Sequence, residues 1–270
     1  MTEHTIELDG EPVFYRESAG SGRSAVFLHS VPTSSDDWLP FLGAGRALAP
    51  DLPGFGRSSK GGHLGYALAD HLRFLARLLD TLRPDEAVAL CGHGWGAAVA
   101  LAFAQAHPGR VARVAVIDAV PLLEGFAWPR GIRRLLAPGI GELVMGSVTR
   151  RRLGRALRAG AADPQAWSEE RVERVWEQFD QGTQRATLRV ARSATPAGLA
   201  AAGAGLSTLR VPALIVWGER DPWLPVRWAE AYGERLGGGA VLSVARGGHW
   251  PWLEDLSVVE RVTAFLAQVP

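Results

Sequence analysis

The chain has almost no cysteine. Its 270 residues contain one, Cys91, so no internal disulfide can form and a reducing compartment fits. No apolar run approaches the ~20 residues that a membrane-spanning helix requires. Met1-Thr2-Glu3-His4 opens with neither a basic stretch nor an apolar core of a leader. The expectation is a soluble cytoplasmic protein. A surplus of one charge sign is missing too: 29 Lys and Arg stand against 28 Asp and Glu, a formal charge of +1. That balance gives no general pull towards nucleic acid or an anionic membrane. There is no metal-ligand cluster, no phosphate loop and no dinucleotide fingerprint, so neither a metal nor a cofactor is expected. Repeats and low-complexity tracts are absent. The partner that remains is a small molecule, and nothing in the pattern fixes an oligomeric state.

One further lack matters more than these. Ala87-Val88-Ala89-Leu90-Cys91 reads as a short buried strand, and Trp95 to Ala106 as an Ala-rich helix. Between them lies Gly92-His93-Gly94-Trp95-Gly96, a Gly-x-X-x-Gly turn of the kind that presents a nucleophile between strand and helix. The central residue should be Ser, Cys or Asp. It is Gly94, which has no side chain and can carry no acyl or alkyl intermediate.

Around that turn, short apolar segments alternate with helical ones, the pattern of a mostly parallel sheet covered on both faces. Candidate strands are 5–8, 13–17, 25–28, 46–49, 87–91, 111–117, 213–217 and 240–244. Helices are expected over 66–82 and 254–266. The alternation stops after Val120-Pro121 and resumes at Val211-Pro212. Residues 122–207 read as helical throughout, with Val172, Val175, Trp176 and Phe179 on one face. The predicted organisation is a core of 1–121 and 208–270 with a helical cap, 122–207, inserted in it. The cap is oddly charged: Arg130 to Arg158 holds eight arginines against Glu142, whereas Asp163 to Asp180 is acidic. Either the two halves neutralise each other, or Arg133, Arg134 and Arg150–Arg152 guide an acidic substrate group.

Four motifs in chain order then resemble the α/β-hydrolase superfamily, in its epoxide hydrolase and haloalkane dehalogenase branch. His29-Ser30-Val31-Pro32 looks like the oxyanion loop, usually His-Gly-x-Pro. Asp51-Leu52-Pro53-Gly54-Phe55-Gly56-Arg57-Ser58 is similar to the loop after the fourth strand. Gly218-Glu219-Arg220-Asp221-Pro222 looks like the turn bearing the catalytic acid, and Gly247-Gly248-His249-Trp250-Pro251 the loop bearing the histidine. The resemblance covers nearly the whole chain and implies an eight-stranded α/β-hydrolase fold. It implies that Asp221 fixes the tautomer of His249 and leaves its Nε2 as a base. Asp118 is a second place where family members carry the acid. The oxyanion donors would be the backbone N–H groups of Val31 and Trp95. Two departures argue against the parent activities: Val31 stands where many dehalogenases have Asn, and no tyrosine occurs between residues 67 and 231.

Cys91 reads as a small core hydrophobe and His29 as structural. Ser30 reads either as a loop residue or as a group that contacts ligand or water. Ten tryptophans are many, and Trp223, Trp250 and Trp128 are candidates for an aromatic pocket wall. Gly94 should free a side-chain volume filled by water or by substrate. The expected function is non-covalent acid/base chemistry by His249 and Asp221, such as cyclisation, isomerisation, elimination or water addition on a small apolar, specialised-metabolite substrate. The alternatives are a hydrolase with water or an altered residue at position 94, and a non-catalytic binding protein of the same fold.

Overall fold

The computed structural model describes residues 1–43, 45–83 and 85–268. Eight strands form one sheet: β1 (Thr2–Leu8), β2 (Glu11–Ser18), β3 (Ala25–Leu28), β4 (Ala47–Pro50), β5 (Val88–His93), β6 (Val111–Ile117), β7 (Ala213–Gly218) and β8 (Ala240–Val244). Their order is β1-β2-β4-β3-β5-β6-β7-β8. Only β2 runs antiparallel to its neighbours; β4, β3 and β5 to β8 are parallel.

Because side chains alternate across a strand, each central strand feeds two cores. Val26 and Leu28, Leu90, Val114 and Val116, and Ile215 and Trp217 face one side. Phe27, Ala89 and Cys91, Ala115 and Ile117, and Leu214 and Val216 face the other. The first side is covered by α1 (Leu68–Leu82), whose Leu75, Leu78 and Leu79 are buried, and by α2 (Gly94–Ala106), which is buried nearly all round. Small residues let α2 lie that close to the sheet: a Cβ on Gly96 would collide with the carbonyls of Leu28 and His29. On the second side α10 (Ser257–Ala267) packs through Val258, Val262 and Leu266. The last helix starts three residues later than its periodicity predicts, because Pro251–Leu253 forms a separate 3-10 turn that buries Trp252.

Between β6 and β7 the described chain is helical: α3 (Arg130–Leu136), α4 (Ile140–Gly146), α5 (Arg150–Gly160), α6 (Glu169–Gln178), α7 (Gln181–Ser193) and α8 (Pro196–Ala202). Side-chain caps from Thr149, Ser168, Asp180 and Thr195 start α5, α6, α7 and α8. The two charged halves of this insertion pair in part, through Arg150 with Glu169 and Glu173 and Arg158 with Glu169. A final helix, α9 (Arg227–Arg235), packs on β7 and β8.

Candidate active site

The functional groups converge at the carboxyl ends of β3, β5, β6 and β7, where strand-to-helix connections leave the sheet. β5 runs on to His93, two residues past its expected end, and α2 begins at Gly94 with φ +51°, a conformation that glycine adopts without strain. The carbonyl of Gly94 accepts the N–H of Val120, which ties the turn to the loop after β6.

The histidine is held at three points, and its partner Asp221 is held in turn. Its Nδ1–H donates to Asp221 Oδ2 at 2.7 Å, and both residues are buried. Asp221 Oδ1 accepts the N–H groups of Trp223 at 2.8 Å and Leu224 at 3.0 Å, so the carboxylate cannot swing away. The backbone N–H of His249 donates to the Gly160 carbonyl at the end of α5 at 2.7 Å. His93 Nε2–H donates to the His249 carbonyl, again at 2.7 Å. Burial and the neighbouring His249 push His93 well below the usual imidazole range, so it stays neutral and acts as a strut. With Nδ1 committed, His249 Nε2 points at the elbow, 3.7 Å from where a Cβ on Gly94 would stand.

That position is already taken. A Cβ on Gly94 would overlap Ser30 Oγ and lie 2.8 Å from Ser30 Cβ. Ser30 Oγ in turn accepts the Trp95 N–H at 3.2 Å, one of the two expected oxyanion donors. The expectation of a free volume for water or substrate is therefore corrected: the serine of the oxyanion loop occupies it. Sequence reasoning placed Ser30 on the right loop but could not see that its hydroxyl crosses to the elbow. Val31, the other expected donor, follows on the same half-buried stretch of loop.

His29 fixes that loop, as expected of a structural residue. Its Nδ1–H donates to the Ser30 carbonyl at 2.7 Å and its Nε2 accepts the Leu52 N–H at 2.8 Å. Thr33 Oγ1 bridges the Ser30 carbonyl, 3.1 Å away, and Asp37 Oδ2, 2.5 Å away. Asp37 escaped the sequence reading because it belongs to no motif. Burial raises its carboxyl to about 7, with Asp36 adding to the shift and the Thr33 hydroxyl opposing it.

Asp118 lies beneath the dyad at φ +42°, and its Oδ1 accepts the Gly218 N–H at 3.1 Å. Burial, then the charge of Asp221 beside it, pushes its carboxyl well above the usual range, so it keeps its proton. Asp118, Asp221 and His249 each place one ligand-type atom within 4.8 Å of the others, the geometry a cation needs. Asp118 Oδ1, both Asp221 oxygens and His249 Nδ1 are bonded to one another or to backbone amides, while Asp118 Oδ2 is buried without a partner, as suits a carboxyl that carries its proton there.

Aromatic rings wall the histidine. Trp223 and Trp250 stand edge-on to His249 with centroids 4.9 and 4.8 Å away. Trp250 reaches the insertion through Trp167, also at 4.9 Å. Trp128 packs edge-on to Phe126 at 4.9 Å and donates its indole N–H to the Ala194 carbonyl. Among the described residues no hydrogen bond or ring pair joins Trp128 to the dyad. Cys91 is buried in the core and its thiol is pushed up by that burial, which suits a packing role.

A family model described as the alpha/beta hydrolase family matches residues 25–262. The chain belongs to that family. Among curated relatives of this alpha/beta hydrolase is a haloalkane dehalogenase from Mesorhizobium japonicum, 36% identical over 141 residues, which are 47% of this chain and 44% of that protein. A coelenterazine h 2-monooxygenase from Renilla reniformis is 28% identical over 45% of this chain and 41% of that protein. The chain thus matches under half the length of these relatives. In shape the hydrolase-family protein is similar to the epoxide hydrolase CorEH, with TM-score 0.85 at 23% identity over 98% of each chain.

Proposed function

We propose that this alpha/beta-hydrolase-family protein is a cofactor-independent acid/base enzyme in which His249 moves a proton directly on the reactants, with no covalent intermediate on residue 94. One observation carries the reading. An intact, buried His249–Asp221 pair aims its free nitrogen at an elbow that has no side chain, where Ser30 Oγ stands instead. Asp221 holds the imidazole in the tautomer that leaves Nε2 unprotonated, and stabilises the imidazolium that forms on proton uptake. The N–H of Trp95 at the start of α2 and the hydroxyl it binds are the groups nearest a developing oxyanion. Trp223 and Trp250 against the imidazole favour an apolar substrate. The relatives named as dehalogenase and epoxide hydrolase favour water as the second reactant; the monooxygenase relative supports a family not confined to hydrolysis.

The test is mass spectrometry of a small-molecule extract from the encoding organism, incubated in ¹⁸O-labelled water with the protein or with His249→Ala. A product that needs His249 and carries ¹⁸O supports water addition or hydrolysis. An unlabelled product of unchanged mass that needs His249 supports rearrangement. Equal behaviour of both proteins, or a substrate adduct on the protein's intact mass, overturns the reading.

A further inference from the structure

Six large hydrophobic side chains are exposed among the described residues, and three of them lie on one helix of seven residues. Ile140, Leu143 and Val144 of α4 are 53, 76 and 41% exposed. Their i, i+3, i+4 spacing puts them on one stripe, while Gly141 and Met145 are buried behind it. An ordinary surface helix turns its apolar stripe inward. This one turns it out.

The helices before and after the stripe carry exposed arginines, of which Arg151 and Arg155 also line a hollow with Glu169. α3, which packs against α4, exposes Arg130, Arg133 and Arg134; α5 exposes Arg151, Arg152 and Arg155. Arg152 reaches the end of α4 and donates to the carbonyl and hydroxyl of Ser147. Four acids of the insertion are paired with other arginines: Glu142 with Arg192, Glu169 with Arg150 and Arg158, Glu170 with Arg174, and Glu173 with Arg150. None of the six exposed arginines has a carboxylate within ion-pair distance among the described residues. A formal charge of +1 is thus an average that hides a local surplus.

We infer that this edge of the helical insertion docks on an anionic lipid surface, with α4 seated at headgroup depth and the flanking arginines on lipid phosphates. Basic side chains around a small apolar stripe are the signature of interfacial rather than spanning contact. A second copy of the chain fits poorly. A seven-residue helix is about 10 Å long, too little for the ~800 Å² per partner of a stable interface. A twofold pairing would also set six arginines against six. Single-stranded nucleic acid is disfavoured because the stripe is aliphatic and offers no ring for bases to stack on. The patch has a direct link to the site, since α5 ends at Gly160, whose carbonyl holds the His249 N–H. An enzyme seated there would meet apolar substrates where they partition.

The experiment is flotation of the whole protein with vesicles of phosphatidylcholine alone or mixed with phosphatidylglycerol, over a range of salt. Expected is binding to the mixed vesicles only, weakening as salt rises. Arg133→Ala and Arg134→Ala should each weaken binding about fivefold, the effect of roughly 1 kcal/mol per basic residue near such a surface. Leu143→Glu should abolish it. Leu256→Glu alters an exposed leucine in another part of the chain and should leave it unchanged. No binding to mixed vesicles overturns the inference. So does binding that Leu143→Glu leaves intact, which would mark a general polyanion site, and so does a dimer in sedimentation that Leu143→Glu dissociates.

Discussion

Positions 30 and 94 exclude each other, and the size of that exclusion can be worked out. In Gly94→Ala the new Cβ is forced onto Ser30 Oγ and to 2.8 Å from Ser30 Cβ, closer than packed carbons approach. Left-handed backbone at φ +51° costs a non-glycine residue about 1–2 kcal/mol, and overpacking adds about 1–3 kcal/mol. The single variant should lose roughly 2–5 kcal/mol. Ser30→Gly removes the acceptor of the buried Trp95 N–H and should lose about 1–3 kcal/mol of its own. In the double variant the overlap is gone. The pair should be more stable than the sum of the singles predicts by about 1–3 kcal/mol, the overpacking part alone. Urea unfolding followed by tryptophan fluorescence measures all four corners, and the buried Trp95 and Trp250 and the half-buried Trp223 around the site report on it. Additivity within about 0.5 kcal/mol would refute the claim that Ser30 fills the elbow. The same logic extends to chemistry. Ser30→Gly with Gly94→Ser should gain His249-dependent labelling by a fluorophosphonate, while Gly94→Ser alone, with Ser30 in its way, should stay nearly inert.

Two carboxyls give further tests. Asp37, raised to about 7 from an ordinary 3.8, keeps a proton that the unfolded chain releases between those values, so its contribution to stability falls as pH rises through that window and is lowest above it. Asp37→Asn should therefore raise the melting temperature relative to the parent by a few degrees at pH 8 and by little at pH 4, read by calorimetry; an equal change at both pH values would sink the assignment. Asp118, held protonated by burial and by Asp221, should tolerate Asn within about 1 kcal/mol, because Asn keeps an acceptor for the Gly218 N–H and accepts left-handed backbone. Asp118→Ala should cost roughly 2–4 kcal/mol in urea unfolding through the orphaned N–H and the φ of +42°. Equal losses in the two variants would mean that the carboxyl is ionised.

The sheet was legible in the sequence because its central strands are short apolar runs between glycine- and proline-bearing turns. The central Ala25–Leu28 and Val111–Ile117 keep the bounds that pattern predicts, and so does the edge strand Ala240–Val244. The misplaced ends have local causes. β5 continues to His93 because a buried histidine with a partner on the loop after β8 can finish a strand as well as an apolar residue does. The last helix starts late because Pro251 and Trp252 form their own buried turn. Trp128 reads as pocket wall by type alone, but its indole finds the Ala194 carbonyl and its ring finds Phe126. Composition ranks residues by kind, and only packing says which neighbour each one meets.

The site shows the same limit more sharply. His249 and Asp221 were legible because each sits in a loop motif of its own, and the hydrogen bond between them follows from the fold. Ser30 and Gly94 were also visible as departures, one on each of two loops 64 positions apart. Their relation was not, because it is steric and runs through space. By the motif resemblance, residue 30 is serine where glycine is expected, and residue 94 is glycine where a nucleophile is expected. The structure couples the two positions: a Cβ on residue 94 would displace the Ser30 hydroxyl and crowd its Cβ at 2.8 Å. Serine at residue 30 and glycine at residue 94 stand together as an exchange across the two loops, with the hydroxyl bonded to the Trp95 amide. That exchange argues against reading Gly94 as simple loss of a catalytic group. A bare deletion leaves a cavity, which costs stability and fills with water or ligand. Here the volume is rebuilt with a polar group, bonded to the helix N-terminus and within the same small space as His249 Nε2. A buried histidine held at Nδ1, at its backbone N–H and at its carbonyl, beside a polar wall, is the arrangement that the proposed proton transfer requires.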